Sequence, residues 1–349
     1  MRRLIAVAAT AVATLLLTAG TAFACGGLIG PNGAVNLLRT TTLAAYHDGV
    51  EHYITAFQFA GGGGQFGSIV PLPGIPTKVE RGGDWTLQRL IRETDPPVPA
   101  FDLRLGAAAA SSAQVILQVR IDALDITVLK GGGDDVGAWA KDHGFRLPPD
   151  APEVLDFYAN RSPIFLAAVF DADAARARGQ SIGDGTPVHI TIPTANPWVP
   201  LRILGLGKTE GEKVEADVYL LNDQQPALLP DPNANGLTLQ VSEPASASLL
   251  KDLRSDKGMG WMPQQAWLSK IRIDGAASGL RFDLAIDASG RGQPSLRDAG
   301  LAPFGPMQPA VPWVGWVLLL AAVGIGLPVF GAAYLGRLAT RRMPPPAGT

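Results

Sequence analysis

The sequence predicts an α+β domain, mainly antiparallel strands with a few short helices, plus one C-terminal transmembrane helix. Three observations lead there. Apolar or alternating runs of strand length recur through the middle of the chain, short helical patterns with capping residues interrupt them, and a long uncharged run stands near the C-terminus.

The N-terminus reads first as a targeting signal. Arg2 and Arg3 precede an uncharged apolar run from Leu4 to Leu17, and the small residues Ala22 and Ala24 follow. A basic start, an apolar middle and an A-x-A site form a signal peptide, so residues 1–24 are expected to be removed before Cys25. A mature chain that begins with cysteine raises lipidation of that thiol, yet Ala22 and bulky Phe23 stand where a lipoprotein signal carries leucine and a small residue. Lipidation of Cys25 is left open by the residues. Cys25 is the only cysteine, which excludes an intrachain disulfide and any cysteine-built metal centre.

Residues 25–288 are expected to form the extracytoplasmic domain. Thr41 to Tyr46 and Val50 to Phe59 flank Asp48-Gly49, a dipeptide that tolerates positive φ and so predicts a tight hairpin. Further strand-like runs follow at Gly67 to Val70, Ala113 to Leu129, Ile164 to Phe170, Val188 to Ile192, Val214 to Leu221, Leu237 to Val241, Ile271 to Ile273 and Leu280 to Ile286. Three short helices are expected between them. Asp84 caps one carrying Leu87, Leu90 and Ile91 that ends before Pro96. Asp134 or Asp135 caps a second with Val136, Trp139 and Ala140, stopped by Gly144, and Asp150 caps a third with Pro152, Val154, Leu155 and Tyr158.

Residues 289–310 are crowded with Gly, Pro, Ser and Arg without hydrophobic period, the composition of a stalk. Residues 311–335 carry no charge and are long enough as a helix to cross a hydrocarbon core of about 30 Å. Trp313 and Trp316 stand at the outer edge of that run and Tyr334 at its inner edge, and Arg337, Arg341 and Arg342 lie in a basic tail over 336–349 that positive-inside places in the cytoplasm. The expected topology is a single-pass cell-membrane protein with its N-terminal domain outside. Membrane lipid, through the C-terminal helix, is the partner this implies.

Charge excludes one class of partner. All 31 acidic residues lie between Asp48 and Asp298, while Arg2, Arg3, Arg337, Arg341 and Arg342 sit at the ends, leaving a net charge of −7 on everything between them. An acidic domain repels polyanions, so nucleic acid is not expected as a partner.

Several segments resemble a family of uncharacterised bacterial exported proteins known as domain of unknown function 2330. They are the signal peptide ending at Ala-Cys-Gly, Phe66-Gly-Ser-Ile-Val-Pro-Leu-Pro73, and Leu87-Gln-Arg-Leu-Ile91. The most specific is Ile126 to Phe170, with Ala138-Trp139, His143-Gly-Phe-Arg-Leu-Pro148 and Glu153-Val154-Leu155. The resemblance implies an exported location and brings no catalytic residues, and Gly61 to Gly64 departs from the more polar loop usual there.

Four patterns invite a chemical reading. Gly179-Gln180-Ser181-Ile182-Gly183 matches G-x-S-x-G, but polar residues precede it and a strand follows, the wrong context for a nucleophile elbow. Asp231, Asn233 and Asn235 with Gly236 have calcium-loop spacing, but Ser242 replaces the bidentate glutamate, and an Asn235-Gly236 turn explains the same residues. His47 and His52 straddle the Asp48-Gly49 turn beside Glu51, but a two-residue turn sets His47 opposite Val50 and His52 opposite Ala45, separating them by register. Trp85, Trp139, Trp198, Trp261 and Trp267 suit a ligand groove or, more simply, the core. No catalytic, cofactor-binding or metal residue is assigned. The function expected is a membrane-anchored extracytoplasmic binding or envelope-assembly module, with a cell-envelope hydrolase of unrecognised active site as the alternative.

Overall fold

The computed structural model describes residues 27–30, 33–34, 40–58, 65–95, 115–177, 185–289, 292 and 294–302. The signal peptide, Cys25, Gly61 to Gly64, Gly179 to Gly183, the run 311–335 and the basic tail lie outside them.

In chain order the strands are β1 (Gly27–Gly30), β2 (Gly33–Ala34), β3 (Thr40–His47), β4 (Val50–Gln58), β5 (Gln65–Pro71) and β6 (Lys78–Arg81). After helix α1 (Thr86–Thr94) come β7 (Val115–Ile121), β8 (Leu124–Lys130), helices α2 (Gly133–Asp142) and α3 (Ala151–Ala159), and β9 (Ile164–Asp171). Helix α4 (Ala172–Ala177), β10 (Gly185–Pro193), β11 (Trp198–Val199), β12 (Lys213–Asn222), β13 (Ala227–Leu229) and β14 (Leu237–Pro244) follow. Helix α5 (Ala247–Ser255), β15 (Trp267–Ala276) and β16 (Leu284–Asp287) complete the fold.

Seven strands form one sheet in the order β14-β15-β12-β3-β4-β10-β6, six form a second, β2-β1-β5-β9-β8-β7, and three form a small third, β11-β16-β13. Among the described pairs only β12 with β3 is parallel.

Alternation along the strands explains the layering. Ala44, Val218, Leu220 and Ile271 of the larger sheet share a core with Ile126, Val128, Leu166 and Ala168 of the smaller one. Their neighbours in sequence point the other way. Leu43, Ala45, Ile54, Tyr219 and Leu221 pack under Leu87 and Leu90 of α1 and Leu249, Leu250 and Leu253 of α5. On the far face of the six-stranded sheet, Ile69, Ala167 and Val169 pack under Trp139 of α2 and Leu155 and Tyr158 of α3. Because both faces of both sheets are covered, strands such as β9 read IFLAAVFD and are buried almost throughout.

The small sheet belongs to two cores at once, with Leu284 and Ile286 in the intersheet core and Trp198 and Ala285 in the α2–α3 core. The beginning of the segment read as a stalk also packs down. Ala299 is buried, and its carbonyl accepts from the Asp283 amide at 2.9 Å.

The strand-rich expectation with few short helices fits this architecture, and its membrane part is corrected. Among the described residues no helix is long and apolar enough to cross a membrane. The longest, α2, has 10 residues, which at 1.5 Å per residue spans about 15 Å, half of a hydrocarbon core. The transmembrane helix, the single-pass assignment and the lipid partnership through a C-terminal helix are therefore withdrawn.

Candidate functional site

The polar residues concentrate at one end of the seven-stranded sheet, where the β3–β4 hairpin turns. Asp48 and Gly49 both have positive φ, 49° and 78°, the pair that a type I′ turn needs. The turn fixes the expected register, His47 opposite Val50 and Ala45 opposite His52. Alternation then sends Tyr46 and Glu51 to the inner face and His47 and His52 to the outer one. Strand β12 extends both rows, with Asn222 beside Tyr46 and Asp223 next along the chain.

On the inner side, a cavity of about 360 Å³ opens between Tyr46, the 195–197 segment and the chain from Ala285 through Asp298. Asp287, Asp298, Asn196, Ser289 and Ser295 supply its polar walls, and among the described residues no lysine or arginine lines it. The Tyr46 hydroxyl donates to the Thr194 carbonyl at 2.9 Å. Asp287 is spent on its own loop, accepting from the Ser289 amide and hydroxyl and from the Gly292 amide.

Tyr46 is flanked in the sheet by two buried polar side chains, Glu51 on β4 and Asn222 on β12. Glu51 is fully buried and Asn222 is 1% exposed, and no hydrogen bond of normal geometry reaches either carboxyl oxygen or either amide atom. Desolvation pushes the Glu51 carboxyl up to about 8, against a weaker opposing effect of the Trp198 main chain. At neutral pH it is largely a neutral acid that can donate as well as accept. Burial raises the Tyr46 phenol too, helped by Glu51 and Asp223.

On the outer side, His52 stacks on Trp261 with ring centroids 3.6 Å apart and planes within 3°. Its Nδ1 lies 2.9 Å from Nε2 of His189, which sits diagonally across on β10. Beyond it, His189 Nδ1 faces Glu80 at 3.7 Å, too far for a hydrogen bond. Burial lowers His52 to about 3, with His189 and His47 adding to the effect, and lowers His189 to about 4, aided by Lys78. Both rings are neutral at physiological pH, one N–H donating to the other's lone pair. His47 stands apart from this pair, its Nδ1 2.6 Å from Asp223 and its Nε2 3.4 Å from Asp48.

The residues singled out in the sequence are thus partly gathered and partly scattered. His52 and Trp261 meet, whereas Trp139 and Trp198 are core residues and Trp85 is exposed. Asp231 accepts from the Asn233 amide, Asn233 from the Leu239 amide, and Asn235 and Gly236 both have positive φ, so the calcium-like spacing serves a turn. Ser242 accepts from the Trp267 indole at 3.0 Å. Ser181 lies outside the described residues, flanked by α4 before and β10 after, opposite to the strand-then-helix order of a nucleophile elbow. Sequence reasoning missed Asn222 and Asp223 at the end of β12 and His189 in the middle of β10, and noted Glu51 only as a neighbour of the histidines. The signal available for Glu51 was alternation, since it shares the face of Tyr53 in a strand whose other face is also apolar.

Residues 19–227 match the family model described as uncharacterized protein conserved in bacteria (DUF2330). The chain belongs to that family. The match takes in the hairpin, His47, Glu51, His52, His189, Asn222 and Asp223, while the cavity walls from Ala285 onward lie beyond it. No curated protein matches the sequence. Among solved structures, baculovirus P35 aligns with a TM-score of 0.38 at 9% identity, over 72% of this chain and 96% of that chain. The caspase-8/P35 complex aligns with a TM-score of 0.38 at 8% identity, over 72% and 96%. Scores this low carry neither fold nor function from those proteins to this DUF2330 member.

Proposed function

We propose that this DUF2330 protein acts outside the cytoplasm as a binding module, without catalysis, and that the cavity beside Tyr46 receives its ligand. Export is supported by the N-terminal signal pattern, and N-terminal sequencing of the mature protein is expected to begin at Cys25; a chain retaining Met1 removes it. The observation that carries the binding reading is the cavity itself, lined by Tyr46, Asn196, Ser295 and Asp298. A polar hollow whose described walls are carboxylates, an amide and hydroxyls suits a small molecule rich in N–H or O–H donors, either an amine or a polyol.

Catalysis is disfavoured by how the histidines are used. Among the described residues, His47 faces carboxylates, His52 and His189 face each other, and His143 Nδ1 meets the Trp139 carbonyl at 2.7 Å. None hydrogen-bonds a serine hydroxyl, the pairing that would activate a nucleophile. Calorimetric titration of the purified full chain with spermidine, sorbitol and phosphate tests the reading. Binding of spermidine or sorbitol, weakened at least tenfold by Asp298→Ala or Asn196→Ala, is the expected result. Preference for phosphate, or an affinity unchanged in both variants, rejects the cavity as the site.

A further inference from the structure

A separate feature of the same hairpin lies on its outer face. His47, Asp48 and Asp223 each offer one ligand atom, and the three atoms lie within 4.8 Å of one another. They come from the end of β3, the turn and the residue after β12, three positions fixed relative to one another by the β12–β3 and β3–β4 ladders. Asp48 is additionally held by its left-handed backbone at φ 49°.

The charges do not balance. An imidazole carries at most one positive charge, so the three groups hold a net charge of −1 or −2. Among the described residues neither carboxylate pairs with a lysine or arginine, and the hydrogen bond and ion pairs that they make are to His47. One nitrogen of His47 and one oxygen of each carboxylate already lie within a span that small side-chain rotations can close onto one ion, and one nitrogen with two oxygens is a common ligand set for zinc and similar ions.

We propose that His47, Asp48 and Asp223 form a binding site for one divalent transition-metal ion of the zinc type, with water filling the remaining positions. The side chains of Asp48 and Asp223 are 87% and 44% exposed, so both carboxylates can rotate to close the 4.8 Å span onto one ion. The neighbouring His52–His189 pair is excluded as the main site. Its facing nitrogens are already hydrogen-bonded to each other at 2.9 Å, and burial of His189 keeps that ring from turning toward an ion. The proposal is independent of the cavity, which opens on the other face of the sheet.

The test uses the full chain freed of metal by chelator and titrated calorimetrically with zinc chloride. One equivalent is expected to bind, and Asp223→Asn, Asp48→Asn and His47→Gln are each expected to weaken it at least tenfold. His52→Gln retains the wild-type affinity. Circular dichroism identifies any variant that fails to fold, and Asp48→Asn, in an exposed turn that asparagine suits, keeps the test decisive. Absence of binding in the wild type, or binding that survives all three substitutions, overturns the site. Loss of binding in His52→Gln with Asp48→Asn unaffected also overturns it, placing the ion on the other histidines.

Discussion

Glu51 occupies a strand whose two faces are both covered, and its carboxyl therefore titrates far from the range of an exposed glutamate. Its pKa, raised to about 8, means that the folded state holds a proton between pH 4.5 and 8 that the unfolded state has released. The stability this gives is complete below pH 4.5 and is lost as pH rises through 8. Glu51→Gln, which keeps the neutral shape, is expected to raise the melting temperature at pH 8 while leaving it nearly unchanged at pH 4.5. A second single residue, Asp283, ties three segments together. Wholly buried, it accepts from the Tyr158 hydroxyl at 2.8 Å, the Leu201 amide at 2.7 Å and the Arg202 amide at 3.0 Å, and it pairs with Arg161. The Arg161 guanidinium also lies over the rings of Phe157 and Trp198. Asp283→Ala leaves that cation buried without its counter-ion, and a loss of about 3–5 kcal/mol in urea denaturation is expected.

At the level of elements, the hairpin and the helices differ in how locally they are specified. Both turn residues of the β3–β4 hairpin follow from Asp48-Gly49, because positive φ is a property of the residues themselves. Gly49 has φ 78° and open space around it, so Gly49→Ala adds backbone strain and nothing else, costing about 1–2 kcal/mol by chemical denaturation. The start of α1 is different. Asp84 looks like its cap in sequence, yet Trp85 occupies the cap position without a side-chain bond. The amides of Asp84 and Trp85 and the Thr86 hydroxyl instead donate to the carboxylate of Asp256, at 3.0, 3.0 and 2.8 Å. Asp256→Ala is expected to destabilise the fold by about 1–3 kcal/mol, with hydrogen exchange rising first in α1. Asp150 shows the same substitution of partners, holding its cap position while its carboxylate accepts from the Gly207 amide. The run from Ala113 to Leu129 reads as one strand because no glycine or proline interrupts it. Asp122, at φ 54°, divides it into β7 and β8, and aspartate announces a left-handed turn less loudly than glycine does.

Across the whole molecule, two groups of buried titratable residues act in opposite directions. His52 and His189, lowered to about 3 and about 4, stay neutral in the folded state while the unfolded chain takes up protons below pH 6.5. Their contribution is therefore present above pH 6.5 and falls away on acidification. Together with Glu51 this predicts a stability maximum on the mildly acidic side of neutrality. Melting curves across pH 4 to 9 test it: Glu51→Gln is expected to flatten the alkaline limb and His52→Gln with His189→Gln the acidic one.

The sequence by itself settled the strand-dominated class, the β3–β4 hairpin with its register, and membership of an uncharacterised bacterial family, because alternation, turn chemistry and motif spacing act over a few residues. It also marked His47, His52 and Trp261, without showing that His52 and Trp261 would stack while His47 turned to Asp223. Tertiary structure alone decided that β12 lies parallel to β3, which places Asn222 beside Tyr46 and Asp223 beside His47. It alone decided that Asp256 caps a helix begun 170 residues earlier in the chain. These outcomes depend on which strands become neighbours, and that choice is made by burying whole faces at once.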